Sequence, residues 1–144
     1  MLIGEYIHTI DNKNRLSLPA KFRKEMGKKV VITPGLDKCL WVFTLKEWEK
    51  ISGKLSESSV LTADNRSFNR FLFGGAVDTE VDALGRVLVP DFLKGRADLQ
   101  TKVAIVGVQN RVEIWNEEAW QKYRQVVEKQ ADALAEKLGG MGMF

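Results

Sequence analysis

The chain carries one pattern twice. "DNKNR" at residues 11–15 and "DALGR" at 82–86 share the form D-x-x-x-R, and each runs on through an apolar pair into a proline, Leu18-Pro19 and Val89-Pro90. At an offset of 71, Asp11 falls on Asp82, Arg15 on Arg86 and Pro19 on Pro90. At an offset of 72, Gly35 falls on Gly107, Leu40 on Val112, Val42 on Ile114, Trp48 on Trp120 and Lys50 on Lys122. Repeats of this kind constrain the fold before any residue-level argument does. A chain of 144 residues makes one domain, or two half-size units that share one core.

Each half reads in the same order. An alternating run, "EYIHTI" or "AVDTEV", predicts a half-buried strand. The D-x-x-x-R element then reverses the chain into a second short strand, "RLSL" or "RVLV". There Leu16 and Leu18 share one face and Arg15 and Ser17 the other, because side chains alternate with period two. The proline ends that strand and can open a helix, read as "AKFRKEM" in the first half and closed by Gly27. Two further strands follow, "KKVVIT" and "LWVF" or "TKVAIVG" and "VEIW", and then a second helix. Thr44 with Glu47 fits a capping box, and Asn116 with Glu117 and Glu118 makes an N-cap with an acidic first turn. The prediction is an α+β fold of two β-rich repeats. The first spans residues 1–51, a linker loop and connecting helix 52–75, the second repeat with a long last helix 76–138, and a flexible tail 139–144. Trp48 and Trp120 are expected in the core.

The repeated turn has its own chemistry. Asn14 and Gly85 stand at matching positions, and these are the residue types that best tolerate positive φ. Asp11 and Asp82 can accept backbone N–H bonds across the turn. Arg15 and Arg86 then leave at the base of the second strand. Two arginines in pseudo-symmetric positions suit a repeating polyanion, since the guanidinium fork grips phosphate or reads guanine in two-point fashion. Lys13 adds a cation to the first turn. Leu84 occupies its place in the second, so the first half is expected to carry more of the affinity.

Charge agrees with that partner. The net charge is only +3, but residues 1–51 hold ten Lys/Arg against six Asp/Glu, whereas residues 76–144 hold nine against eleven. The excess lies around Lys13, Arg15, Lys21 and Arg23, and a local basic patch is the footprint of nucleic-acid binding. No stretch reaches the roughly 20 apolar residues of a bilayer span, and the first residues lack the pattern of a secretory leader. Cys39 is the one cysteine, as suits a reducing cytosol. No catalytic constellation, metal-ligand cluster or cofactor loop is legible: His8 is a lone strand histidine, and no Gly-rich phosphate loop occurs. A non-enzymatic alternative is a protein-binding module whose last helix grips a partner through Tyr123, Val127 and Leu134.

"GEYIHTIDNKNRLSLPAKFR", "RSFNRFLFGGAVDTEVDALGRVLVP" and "VAIVGVQNRVEIWNEEAWQKY" together resemble the MraZ family. These are bacterial transcriptional regulators encoded at the head of the division and cell-wall gene cluster. The resemblance covers nearly the whole chain. It implies two AbrB-type swapped-hairpin units fused in one polypeptide, forming a pseudo-dimeric β-barrel core with flanking helices. It further implies a ring-shaped homo-oligomer, commonly octameric, that binds double-stranded DNA at direct repeats upstream of its own operon, in the cytoplasm at the nucleoid. By the same resemblance, DNA contact falls to Arg15 and Arg86. Lys13, Lys21 and Arg23 are supported by charge rather than by the motif. AbrB-like domains also serve in antitoxins, the form the protein-binding alternative would take.

Overall fold

The computed structural model describes residues 1–143. The first half comprises β1 (Leu2–Thr9), β2 (Arg15–Ser17), α1 (Ala20–Met26), β3 (Lys29–Pro34), β4 (Leu40–Thr44) and α2 (Leu45–Ser56). Helix α3 (Ala63–Gly74) connects it to β5 (Val77–Glu80), β6 (Arg86–Leu88), α4 (Asp91–Arg96), β7 (Lys102–Gln109), β8 (Val112–Asn116) and α5 (Glu117–Gly140). The two halves therefore repeat one order of elements, strand-turn-strand-helix-strand-strand-helix. The helix that closes the repeated order in each half, α2 or α5, begins where the sequence places a cap: Thr44 Oγ1 accepts from Glu47 N at 3.1 Å, and Asn116 Oδ1 from Ala119 N at 2.9 Å. Gly139 and Gly140 close α5; of the stretch 139–144 set aside as a tail, residue 144 lies outside the described residues.

The halves interpenetrate. One antiparallel sheet runs in the order β1-β7-β8-β4-β3-β5. The first strand of each half thus pairs with the third element-strand of the other: Tyr6 faces Ile105, and Val77 faces Ile32. The order is unchanged when the halves are exchanged and read backwards, so a pseudo-two-fold axis passes between β8 and β4. A separate two-stranded ribbon, β2-β6, also takes one strand from each half. Since β1 leads into β2 and β5 into β6, the ribbon links the two outer edges of the sheet.

Register corrects one part of the sequence alignment. Pro34 pairs with Leu40 and Gly107 with Val112, so Gly107 corresponds to Pro34 and not to Gly35. The second half is longer before β7 and has a shorter β7-β8 turn, and the two changes nearly cancel. Gly107 has a different task. A Cβ there would lie 2.6 Å from the carbonyl carbon of Leu2, so the glycine lets β1 approach.

The core lies between the sheet and the ribbon. Val30, Ile32, Leu40, Val42, Val103, Ile105, Val112 and Ile114 point inward from the sheet by period-two alternation. Leu16, Leu18, Val87 and Val89 meet them from the ribbon, and Phe22, Met26, Leu93 and Ala97 from α1 and α4. The opposite sheet face carries a smaller cluster, Cys39, Ala104, Val106 and Trp115, with Trp41 and Trp120 against it. Trp48 and Trp120 are only half-buried, which corrects their assignment to the core. Trp48 packs edge-on to Phe73 of α3, and Trp120 lies in a group with Trp115 and Tyr123. Near the pseudo-axis the buried Glu113 carboxylate accepts from Trp41 Nε1 at 3.0 Å, from Trp115 Nε1 at 3.1 Å and from Arg111 Nη2 at 2.8 Å. A buried carboxylate is tolerable when it is paired and hydrogen-bonded in this way.

Candidate functional site

The two D-x-x-x-R turns have the same internal geometry. In the first, Asp11 Oδ1 accepts from Lys13 N and Arg15 N, both at 2.9 Å, and Asp11 N donates to Arg15 O at 3.0 Å. In the second, Asp82 Oδ1 accepts from Leu84 N at 3.0 Å and Arg86 N at 2.8 Å, and Asp82 N donates to Arg86 O at 2.9 Å. The residue before each arginine is left-handed: φ is 62° at Asn14 and 78° at Gly85. The backbone N–H of the arginine, more than its charge, holds each aspartate below the usual carboxylate range; the Lys13 or Leu84 N–H and the guanidinium add to it. Both aspartates are therefore anionic near neutrality.

The arginines face one way. Arg15 lies opposite Leu88 in the ribbon and Arg86 opposite Ser17, so all four project from one face while Leu16 and Val87 fill the other. Arg15 and Arg86 stand diagonally, at a Cα spacing of about 7–8 Å for such a pair. Each guanidinium gives its Nε to the aspartate of its own turn, at 3.0 Å for Arg15 and 2.7 Å for Arg86. Among the described residues, the terminal nitrogens of neither make a hydrogen bond. The aspartate thus orients the fork by its near side, and among the described residues the outer edge makes no hydrogen bond. The side chains are 34% and 28% exposed, and an ion pair so open to water contributes little stability by itself. The ribbon is anchored instead by its buried face, where each Leu or Val contributes about 1.5–3 kcal/mol.

Helices α1 and α4 add to this surface crosswise. Lys94 Nζ donates to Asn14 Oδ1 at 2.8 Å, and Asn14 Nδ2 donates to Asp91 Oδ1 at 2.7 Å. Arg23, 71 residues before Lys94, lies over Gly85 of the other turn and donates from Nε to Leu18 O at 3.0 Å. Lys94 is absent from the charge-based set Lys13, Lys21 and Arg23. The signal that could have found it is the repeat offset, which carries Arg23 onto it. Lys13 and Lys21 are exposed, the first at the tip of turn one and the second on α1.

Other reactive groups are accounted for by packing. His8 Nδ1 is 2.6 Å from Ser17 O, a distance at which the ring N–H donates to that carbonyl. Burial pushes the Cys39 thiol up to about 12, and its S–H donates to Leu36 O at 3.2 Å, so it stays protonated at neutral pH. Among the described residues no group of three or more His, Cys, Asp or Glu could hold a metal ion, and no helix is long and apolar enough to cross a membrane.

Known sequences share this layout. The family model described as "MraZ protein, putative antitoxin-like" matches twice, over residues 1–71 and 72–138. The chain is 46% identical over 143 residues to the transcriptional regulator MraZ of Caldicellulosiruptor saccharolyticus, covering 99% of this chain and 100% of the relative. It is 47% identical over 138 residues to the transcriptional regulator MraZ of Moorella thermoacetica, covering 96% of each. It is 46% identical over 138 residues to that of Caldanaerobacter subterraneus, again covering 96% of each. On a doubled family match and this full-length similarity, the chain belongs to the MraZ family.

Proposed function

We propose that the chain is a sequence-specific transcriptional regulator that reads double-stranded DNA with its two D-x-x-x-R turns. The observation that carries this reading is the pair of arginines on one ribbon face, each oriented by an aspartate and each with an open outer edge. A guanidinium so held matches guanine O6/N7 or a phosphate in two-point fashion. Lys13, Lys21 and Arg23 would add phosphate contacts around it. The relatives are named as transcriptional regulators, which agrees. The target is taken to be direct repeats upstream of the protein's own division and cell-wall cluster, bound at the nucleoid by a homo-oligomeric ring. In such a ring several copies of turn one act together, and weak single contacts gain by multivalency. The exchange of first strands between halves supports naming each unit a swapped hairpin of AbrB type.

The test is fluorescence anisotropy on labelled duplex from upstream of the gene, beside a scrambled duplex, with folding checked by circular dichroism. Wild type should prefer the native duplex. Arg15→Ala should lose about 1–3 kcal/mol of that preference, roughly 5- to 150-fold, and Arg86→Ala less, because Leu84 replaces the lysine at the second tip. Equal binding by wild type and both variants would make the arginines structural partners of Asp11 and Asp82 only. It would move attention to α5, where Tyr123 and Leu134 are exposed and Val127 is half-buried, as the surface that would meet a protein partner. Salt separates the two readings, since phosphate contacts weaken steeply as salt rises and apolar ones do not.

A further inference from the structure

Arg23 and Lys94 hold equivalent places in α1 and α4, and each reaches the turn of the opposite repeat. Lys94 Nζ sits 2.8 Å from Asn14 Oδ1. The Arg23 side chain crosses Gly85 so closely that a Cβ there would lie 2.3 Å from its Nε. The backbone crosses in the same sense: Val89 N donates to Asn14 O at 2.8 Å, and Leu18 N to Gly85 O at 2.9 Å. Charge then separates two kinds of cation. Arg15 and Arg86 are each paired with an aspartate, whereas among the described residues neither Arg23 nor Lys94 takes part in an ion pair. Arg23 has both terminal nitrogens without a hydrogen bond, and Lys94 has two ammonium protons to spare. Turn two is also the one whose tip carries Leu84, 63% exposed, where turn one has Lys13.

We propose that Lys94 joins Arg23 as a phosphate-contacting residue, and that each repeat lends one of this pair to the other repeat's turn. The ligand they take is the phosphodiester backbone flanking the bases that Arg15 and Arg86 meet. This assignment rests on the turns being DNA-reading heads. It makes each head composite: turn one is completed by α4 of the second repeat, and turn two by α1 of the first. A cation in this position fixes where the duplex lies but reads no sequence.

The experiment measures binding of the upstream and scrambled duplexes across a salt series for wild type, Arg23→Gln, Lys94→Gln, the double variant and Lys94→Arg, with Arg15→Ala alongside. Each single glutamine variant should weaken both duplexes alike and make the slope of log affinity against log salt shallower by about 0.9 for each protomer engaged on the duplex. The double variant should lose about twice that, and Lys94→Arg should keep the wild-type slope. An unchanged slope in the glutamine variants, while wild type binds and Arg15→Ala loses its preference, would overturn this assignment and leave the reading heads standing. Absence of DNA binding by wild type would overturn both.

Discussion

At the residue scale, the aspartates are the members of each turn whose charge can be tested directly. Asp11 and Asp82 are held below the ordinary carboxylate range first by the arginine backbone N–H. A folded value below the unfolded one means that the contribution to stability is fully present above the unfolded pKa of about 3.9. It is lost as pH falls through the folded value. Titration of the two side-chain carboxyls by NMR should place both midpoints below 3.9 on the scale of free aspartate. A midpoint at or above that value for either would mean that its turn is open in solution. Asp11→Asn should remove the acid-dependent loss of turn one and leave that of turn two. The left-handed residues differ in how they are secured. Asn14 is clasped at both ends of its amide by α4, whereas Gly85 has no side chain to clasp and is covered by Arg23.

At the element scale, β1 depends on a glycine in its neighbour. Gly107 faces Gly4 in the sheet, and a Cβ at Gly107 would meet Leu2 backbone atoms at 2.6–2.8 Å. Backbone cannot yield as the tip of a flexible side chain can. Gly107→Ala should therefore push β1 outward and cost about 1–3 kcal/mol in urea denaturation, with exchange protection lost first in the amides of β1. Gly53→Ala is the control, because its Cβ would meet nothing within 4 Å on exposed α2. That change should be neutral or slightly stabilising, since alanine favours helix. Loss of stability at Gly53 as large as at Gly107 would count against close approach as the cause.

At the scale of the whole molecule, strand exchange makes the repeats mutually dependent. Taken alone, residues 1–71 would hold β3 without β5, β1 without β7 and β2 without β6. The unpaired edges and the uncovered core face predict that this fragment has no folded monomer. Two copies could restore the same pairings about a true two-fold axis, each β1 on the other's β3. Sedimentation with far-UV circular dichroism should find the fragment either unfolded or dimeric. A folded monomer would contradict the pairing scheme. The composite turns have the same origin, since Lys94 reaches Asn14 only because β2 and β6 lie side by side.

What could be read from the chain was local. The aspartate acceptors, the residue tolerant of positive φ and the arginine all fall within five consecutive positions, so the turn's chemistry is written in each pentapeptide. Period-two alternation marks Leu16 and Leu18 as facing away from Arg15, and the caps at Thr44 and Asn116 span only four residues each. Partner choice was not local. Nothing in "EYIHTI" says that β1 lies on β7 of the other half, because many strands satisfy the same alternation and only burial of the shared core selects among them. For the same reason Gly35 could be laid on Gly107 until the sheet register paired Gly107 with Val112. Trp48 and Trp120 looked like core residues by type, yet they lie at helix-sheet margins that only the packing of α2, α3 and α5 defines. Lys94 belongs here too. Its charge is visible in the sequence, but its place beside the first turn is decided by tertiary structure, where hydrophobic burial brings the ribbon's two strands together and carries α4 across to Asn14.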